Sequence, residues 1–176
     1  FIPKVDRKAW RSLTREPTKP LLNRAVKGYP PGSTYKILIA LAGLKSGKFT
    51  AGTRINSPGV VYIAGHPFKD WNPSGQGNIA VHDAIRMSCN TFFYQAGVRT
   101  GIRNIAEMGR LVGFGQRSGV ELDSESPGIM PDPEWMKKHY PRERWTSATP
   151  ANVSIGQGFV LATPLQMANM TAAVAN

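Results

Sequence analysis

The sequence predicts an α+β chain that is mainly helical over the part present, and three observations carry that expectation. Apolar residues recur at helical spacing through much of 34–112, two Pro-led helix starts stand in the last third, and one short β-branched run, Val60-Val61-Tyr62-Ile63, offers a strand. Residues 1–32 are basic and carry five of the 14 prolines, so they read as an extended or irregular lead-in. Tyr29-Pro30-Pro31-Gly32 then makes a stiff approach with a sharp bend, and residues 34–44 (TYKILIALAGL) are apolar almost all round, a buried helix ending near Ser46-Gly47. Residues 50–77 are rich in Gly, Pro, Asn and Ser around the short strand. Asn78 can cap a helix through 87, with Ile79, Val81, Ala84 and Ile85 on its core face. After Ser88-Cys89-Asn90, residues 91–98 read as another buried helix, and Ile102 to Val112 as a third, ended by Gly113-Phe114-Gly115. Asp132-Pro133 is a cap-then-first-residue pair for a short helix, and Thr163-Pro164 repeats the device for the last one.

With 176 residues, 41% of them apolar, the chain can bury one sizeable core. It has no run of 18 apolar residues, so nothing in it reads as a membrane-spanning segment. The net charge of +11 invites a nucleic-acid reading. The charge is dispersed, however: Arg99, Arg103, Arg110 and Arg117 fall on separate turns, and no basic run exceeds two residues. Neither zinc-finger spacing nor an aromatic RNA-binding signature accompanies it, so nucleic acid is not an expected partner. Attraction to anionic lipid or wall polymer is the simpler use of such a surface. The single cysteine, Cys89, excludes an intrachain disulfide. The chain starts at Phe1 and stops inside a helical pattern, so both ends read as cut.

Chemistry concentrates in two short motifs. Ser33 and Lys36 are spaced i, i+3, which on one helix sets them a turn apart on a shared face. A serine hydroxyl needs a neighbouring base to become a nucleophile, and a lysine serves only if burial or nearby cations lower its pKa. The bland alternative makes Ser33 a helix cap and Lys36 a surface residue. Ser88 and Asn90 lie 52 and 54 residues beyond Lys36, between two helical patterns. By themselves they could equally be a pair of caps for residues 91–98.

Ser-x-x-Lys followed by Ser-x-Asn is the order of penicillin-recognising serine enzymes. Four longer stretches, NRAVKGYPPGSTYK (23–36), MSCNTFFYQAG (87–97), GFGQRSGVELDSESPGIMPDPEWM (113–136) and SIGQGFVLATPLQMA (154–168), resemble the class B penicillin-binding proteins, most closely their elongation-type transpeptidases. The resemblance covers nearly the whole chain. It implies a penicillin-binding/serine β-lactamase-like fold, seen here mainly as its helical lobe and incomplete at the C-terminal sheet. The implied activity is peptidoglycan DD-transpeptidation: acyl transfer from D-Ala-D-Ala to Ser33, Lys36 as general base, Ser88 relaying a proton to the leaving amine, and Asn90 binding the substrate amide or Lys36. A penicillin-sensing binding domain and a serine β-lactamase are the alternatives. Thr34 and Trp71 are the substrate-side candidates, although Trp71 reads equally well as a packing residue on a loop. Stem peptides, β-lactams, a glycan polymerase and elongation scaffold proteins are the implied partners. The implied setting is an inner-membrane anchor outside this stretch with a periplasmic or extracellular catalytic domain. No Lys-Thr-Gly follows the first two motifs, so residues 1–176 are expected to be a partial transpeptidase domain, inactive alone.

No cofactor is implied. Some elongation-type members bind zinc beside the active-site helices through two Asp, one His and one Cys. Here Asp70 and Cys89 match that pattern, while Ser57 and Gln76 stand at the other two positions, with His66 as a possible substitute. Half the ligand set is missing, and metal is not expected. Cys89, between two polar motif residues, is expected to point into the core. His82-Asp83 reads as surface pairing and Asp123/Glu125 as turn residues. Gly156-Gln157-Gly158 reads as a tight turn.

Overall fold

The computed structural model describes residues 6–142, 146 and 148–176, so the first five residues of the lead-in lie outside it. The rest of that segment is not irregular throughout. Arg7–Arg15 forms helix α1, started by Asp6, whose carboxylate accepts from Ala9 N–H at 3.2 Å. Its residues are mostly good helix formers, and none is buried. Arg7, Arg11 and Arg15, four apart, share one side of it. Prolines 17, 20, 30 and 31 break the chain after α1 rather than within it.

The second difference bears on the site. Ser33 and Lys36 do not share an α-helix. Gly32–Tyr35 is a 3-10 turn, and α2 (Lys36–Lys45) begins only at the lysine. Since 3-10 geometry repeats every three residues, positions 33 and 36 still lie one above the other. The expected burial of α2 is observed: Lys36, Leu38, Ile39, Ala40, Ala42 and Gly43 are inside, and the helix closes at Ser46 with Gly47 at φ 67°.

Residues 50–77 hold more strand than periodicity suggests. β1 (Ile55–Ser57) pairs antiparallel with β4 (Gly77–Ile79), and β2 (Val60–Ile63) with β3 (His66–Lys69). Ala64 and Gly65, both at positive φ, make the tight turn of the β2–β3 hairpin. Asn78 therefore sits opposite Asn56 in a sheet and caps nothing. Helix α3 (Val81–Arg86) starts without a side-chain cap and buries Val81 and Ala84, while Ile85 points outward, 41% exposed. Ile79 is buried, but from its strand.

The remaining helices follow their local signals: α4 (Asn90–Thr100), α5 (Ile102–Leu111), α6 (Pro133–His139), α7 (Ala148–Ser154) and α8 (Pro164–Ala175). Asp132 caps α6 through Trp135 N–H at 2.6 Å. Thr163 and Gln166 form a reciprocal capping box on α8, at 3.0 and 2.9 Å. Helix α4 is the hub, packed on α2 and α7, and α2 packs on α5. Gly97 permits the α4–α7 approach, because a Cβ there would collide with the Ser154 side chain. Tyr35, Leu38, Ile39, Phe92, Phe93, Ile105, Phe114, Val153, Val160 and Met170 form the core around this crossing. Full burial of an aliphatic or Phe side chain of this kind contributes about 1.5–3 kcal/mol. Among the described residues no helix is long and apolar enough to cross a membrane.

Candidate active site

Lys36 opens α2 inside the core, 2% exposed, with its Nζ 5.7 Å from the centre of the Phe93 ring. The ammonium end reaches out of this apolar lining toward a single turn of chain. It donates to Ser88 O at 2.7 Å and Asn90 Oδ1 at 2.6 Å, and lies 3.1 Å from Ser88 Oγ. The structure thus brings Lys36, Ser88 and Asn90 together. Burial lowers the Lys36 pKa from 10.5 to about 8, against the opposing negative charge of Asp70.

The turn that meets Lys36 is the junction of α3 and α4. Ser88 N–H donates to Ile85 O at 3.0 Å and Cys89 N–H to Ala84 O at 2.9 Å, with Ser88 at φ 53°. That is a Schellman closure, and Ser88 occupies the left-handed position where glycine is usual. Cys89 returns to extended backbone and caps α4, and Asn90 is the first helical residue. Ser88 and Asn90 are not alternate residues of an extended turn. They converge because a left-handed residue is followed by a helix start.

Cys89 is fully buried, as expected, and has further contacts. Its Sγ accepts from Phe92 N–H at 3.4 Å and donates to Asp70 Oδ2 at 3.4 Å. Asp70 Oδ2 also accepts from Thr91 N–H at 2.9 Å and Thr91 Oγ1 at 3.3 Å, and its Oδ1 from Asn72 N–H at 3.1 Å. Burial would raise the Asp70 pKa, but these hydrogen bonds outweigh it and hold the carboxyl below its usual range. Trp71, 63% exposed, donates its Nε1–H to Met87 O at 3.0 Å. Sequence reasoning weighed Asp70 only as a metal ligand; its contacts join residues 19 and 21 apart, which no local pattern announces.

Ser33 is exposed on the turn before α2, and among the described residues its hydroxyl has no hydrogen-bond partner. Gly32 N–H donates to Gly156 O at 3.0 Å. Gly156 has φ 71°, and a Cβ there would collide with the Gly32 backbone, so the tight turn at 156–158 is the bed on which the Ser33 turn rests. Thr34 is exposed beside Ser33 with its hydroxyl donating to Pro31 O at 2.7 Å. Lys45-Ser46-Gly47 spells a variant of Lys-Thr-Gly, but it closes α2, about 14 Å along the helix from Lys36.

The residues do not fit a zinc ion. Among the described residues no three His, Cys, Asp or Glu side chains converge. Both Asp70 oxygens are engaged by protein donors, and burial raises the Cys89 thiol rather than favouring a thiolate ligand. Ser57 is buried with its hydroxyl on Ile55 O at 3.2 Å, and His66 is exposed in β3. His82 and Asp83 lie 3.7 Å apart on the surface. Glu125 is buried, accepting from Ser118 N–H at 2.8 Å within the 118–125 segment.

The exposed Ser33 turn, the buried Lys36 and the Ser88–Asn90 turn carry, in chain order, the motif pattern of penicillin-recognising serine enzymes. Comparison with known proteins agrees. Residues 3–176 match the penicillin binding protein transpeptidase domain, and the chain belongs to that family. It is 44% identical, over its whole length, to the peptidoglycan D,D-transpeptidase MrdA of Acinetobacter baumannii, of which it covers 26%. It superposes on Pseudomonas aeruginosa penicillin-binding protein 2 in complex with WCK 5153 at a TM-score of 0.90, with 36% identity over 98% of this chain and 40% of that one. It superposes on penicillin-binding protein 2 of Helicobacter pylori, in complex with MreC, at 0.84, with 36% identity over 93% of this chain and 31% of the other. The chain therefore spans about a quarter of the length of the curated relative.

Proposed function

We propose that this chain is the nucleophile-bearing part of a peptidoglycan DD-transpeptidase that forms an acyl-enzyme on Ser33. The observation that carries the reading is the hydrogen bonding of Lys36. Ser88 O and Asn90 Oδ1 can only accept, so they engage two Lys36 N–H bonds whatever its charge. A neutral amine then has no N–H left but one lone pair, which can accept a proton from a hydroxyl, and Ser88 Oγ lies 3.1 Å from the nitrogen. The lowered pKa populates that neutral form near physiological pH.

In the proposed cycle Ser33 Oγ attacks the carbonyl of the D-Ala-D-Ala bond while its proton passes to Lys36. Backbone N–H groups at the start of the 33–36 turn would favour the developing oxyanion. Ser88, beside Lys36, relays the proton to the departing D-alanine amine, and Asn90 steadies Lys36 and the substrate amide. The amine of a second stem peptide then attacks the ester and releases Ser33. β-Lactams acylate the same hydroxyl and leave slowly. Thr34, next to the nucleophile, and the exposed ring of Trp71, beside the Ser88 turn, are the proposed substrate-side contacts.

The proposed company and location follow from the substrate: a glycan polymerase supplying new strands, an elongation scaffold, and a membrane-anchored protein acting in the periplasm or outside the cell. The complex of the Helicobacter pylori relative with MreC supports the scaffold. The test is fluorescent penicillin added to the intact protein. Covalent label is expected at Ser33 and none in Ser33→Ala; undiminished label in that variant refutes the reading. Release of label within seconds would instead mark a β-lactamase.

A further inference from the structure

We propose that Asp70 and Trp71 are positioning residues, a clasp that grips the 87–91 turn at both ends and so holds Ser88 and Asn90 against Lys36. This rests on the function proposed above. At the far end of the turn, Asp70 Oδ2 takes the Thr91 N–H, the Thr91 hydroxyl and the Cys89 thiol. At the near end, the Trp71 indole N–H holds Met87 O at 3.0 Å. The two gripping residues are consecutive, so one short piece of chain spans the whole turn.

Three features support the clasp. Ser88 is left-handed at φ 53°, a conformation a serine abandons unless its surroundings enforce it. Relaxing it would swing its own hydroxyl and the following Asn90 away from Lys36. Helix α4 supplies no competing anchor there, because its cap is only the weak acceptor Cys89 Sγ, at 3.4 Å. Finally, the clasp is itself anchored. Asp70 N–H donates to Gly59 O at 2.8 Å, Asn72 N–H holds its second oxygen, and both oxygens accept from donors as an ionised carboxylate does, so these hydrogen bonds are charge-assisted. A carboxylate at the first turn of α4 also complements the helix dipole.

The experiment measures penicillin acylation of the intact protein over a range of antibiotic concentrations, separating the limiting acylation rate from the noncovalent affinity. Asp70→Leu is expected to lower the limiting rate at least tenfold, and Trp71→Phe, which keeps the ring but loses the N–H, about threefold or more. Affinity should stay within about twofold in Asp70→Leu. Asp70→Asn should recover much of the loss, because its amide oxygen still accepts from Thr91, and Thr91→Ser should resemble the unmodified protein. Folding is followed by thermal unfolding; if Asp70→Leu fails to fold, Trp71→Phe carries the test. Limiting rates within twofold of wild type in the folded variants overturn the clasp. A Trp71→Phe effect confined to affinity overturns it as well, and assigns Trp71 to substrate contact alone. A second readout is independent of acylation. Modification of the buried Cys89 by a thiol reagent, read by peptide mapping, should quicken several-fold in both variants as the turn loosens. Unlabelled wild type with quickened Cys89 in the variants refutes the proposed function and leaves the clasp standing; unchanged Cys89 reactivity refutes the clasp.

Discussion

The two motif turns are built on opposite terms. The Ser88–Asn90 turn is held from all sides: Lys36 takes its acceptors, α3 closes on it, and Asp70 and Trp71 grip its ends. The Ser33 turn rests on the Gly156 backbone through Gly32, and its hydroxyl is exposed without a partner among the described residues. The difference matches the roles proposed for the two turns. A nucleophile has to meet an incoming carbonyl and later be released, whereas a base and its relay gain from being fixed before substrate arrives. Order is spent on the lysine side of the site.

The largest effect should come from breaking the lysine's chemistry while keeping its charge. Lys36→Arg retains a cation facing Ser88 and Asn90, but guanidinium cannot give up its proton near neutral pH. General-base catalysis is typically worth about 10²–10⁴ in rate, so penicillin acylation by the intact protein should fall into that range or vanish. An arginine variant within tenfold of wild type would show that Lys36 acts only as an electrostatic anchor.

A smaller and two-sided effect tests the strain in the held turn. Ser88 stands where a Schellman closure prefers glycine, and left-handed backbone costs a non-glycine residue about 1–2 kcal/mol. Ser88→Gly should therefore raise unfolding stability by up to about 1 kcal/mol and also lower acylation, since the relay hydroxyl is gone. Stability and activity moving together in that variant would mean that Ser88 is present only for the fold.

These positions also show how far the sequence could be read. Helix starts at Asp132-Pro133 and Thr163-Pro164, the burial of α2, and the strand 60–63 rest on local chemistry and were legible. The motif residues Lys36, Ser88 and Asn90 were found by pattern and do converge. What could not be read depends on partners distant in sequence. Asn78 looks like a cap until β1, ending 21 residues earlier at Ser57, claims it for a strand. Asp70 looks like a stray carboxylate until α4 starts against it. α1 was missed for another reason: it buries nothing, so proline content outweighed helix propensity. Spacing placed Ser33 and Lys36 correctly one above the other, although a 3-10 turn does it rather than one helix.

The last expected effect is the pH response, and its sign discriminates best. With Lys36 near 8, about a tenth of it is neutral at pH 7 and about nine-tenths at pH 9, so acylation should rise roughly tenfold across that interval and level off above it. An anchoring ammonium predicts the reverse, a rate that falls as the charge is lost. The same shift leaves a mark on stability. An unfolded lysine keeps its proton to about pH 10.4, whereas the folded one releases it near 8. Between those values the unfolded state binds more protons, so this residue makes unfolding harder as pH rises through the window. Acylation in the intact protein and thermal unfolding can both be followed from pH 7 to 9.5. A rate that climbs with an inflection near 8 while Lys36→Ala loses the inflection would tie the profile to this one amine. A flat rate with rising stability would show that Lys36 titrates as described but takes no proton from Ser33.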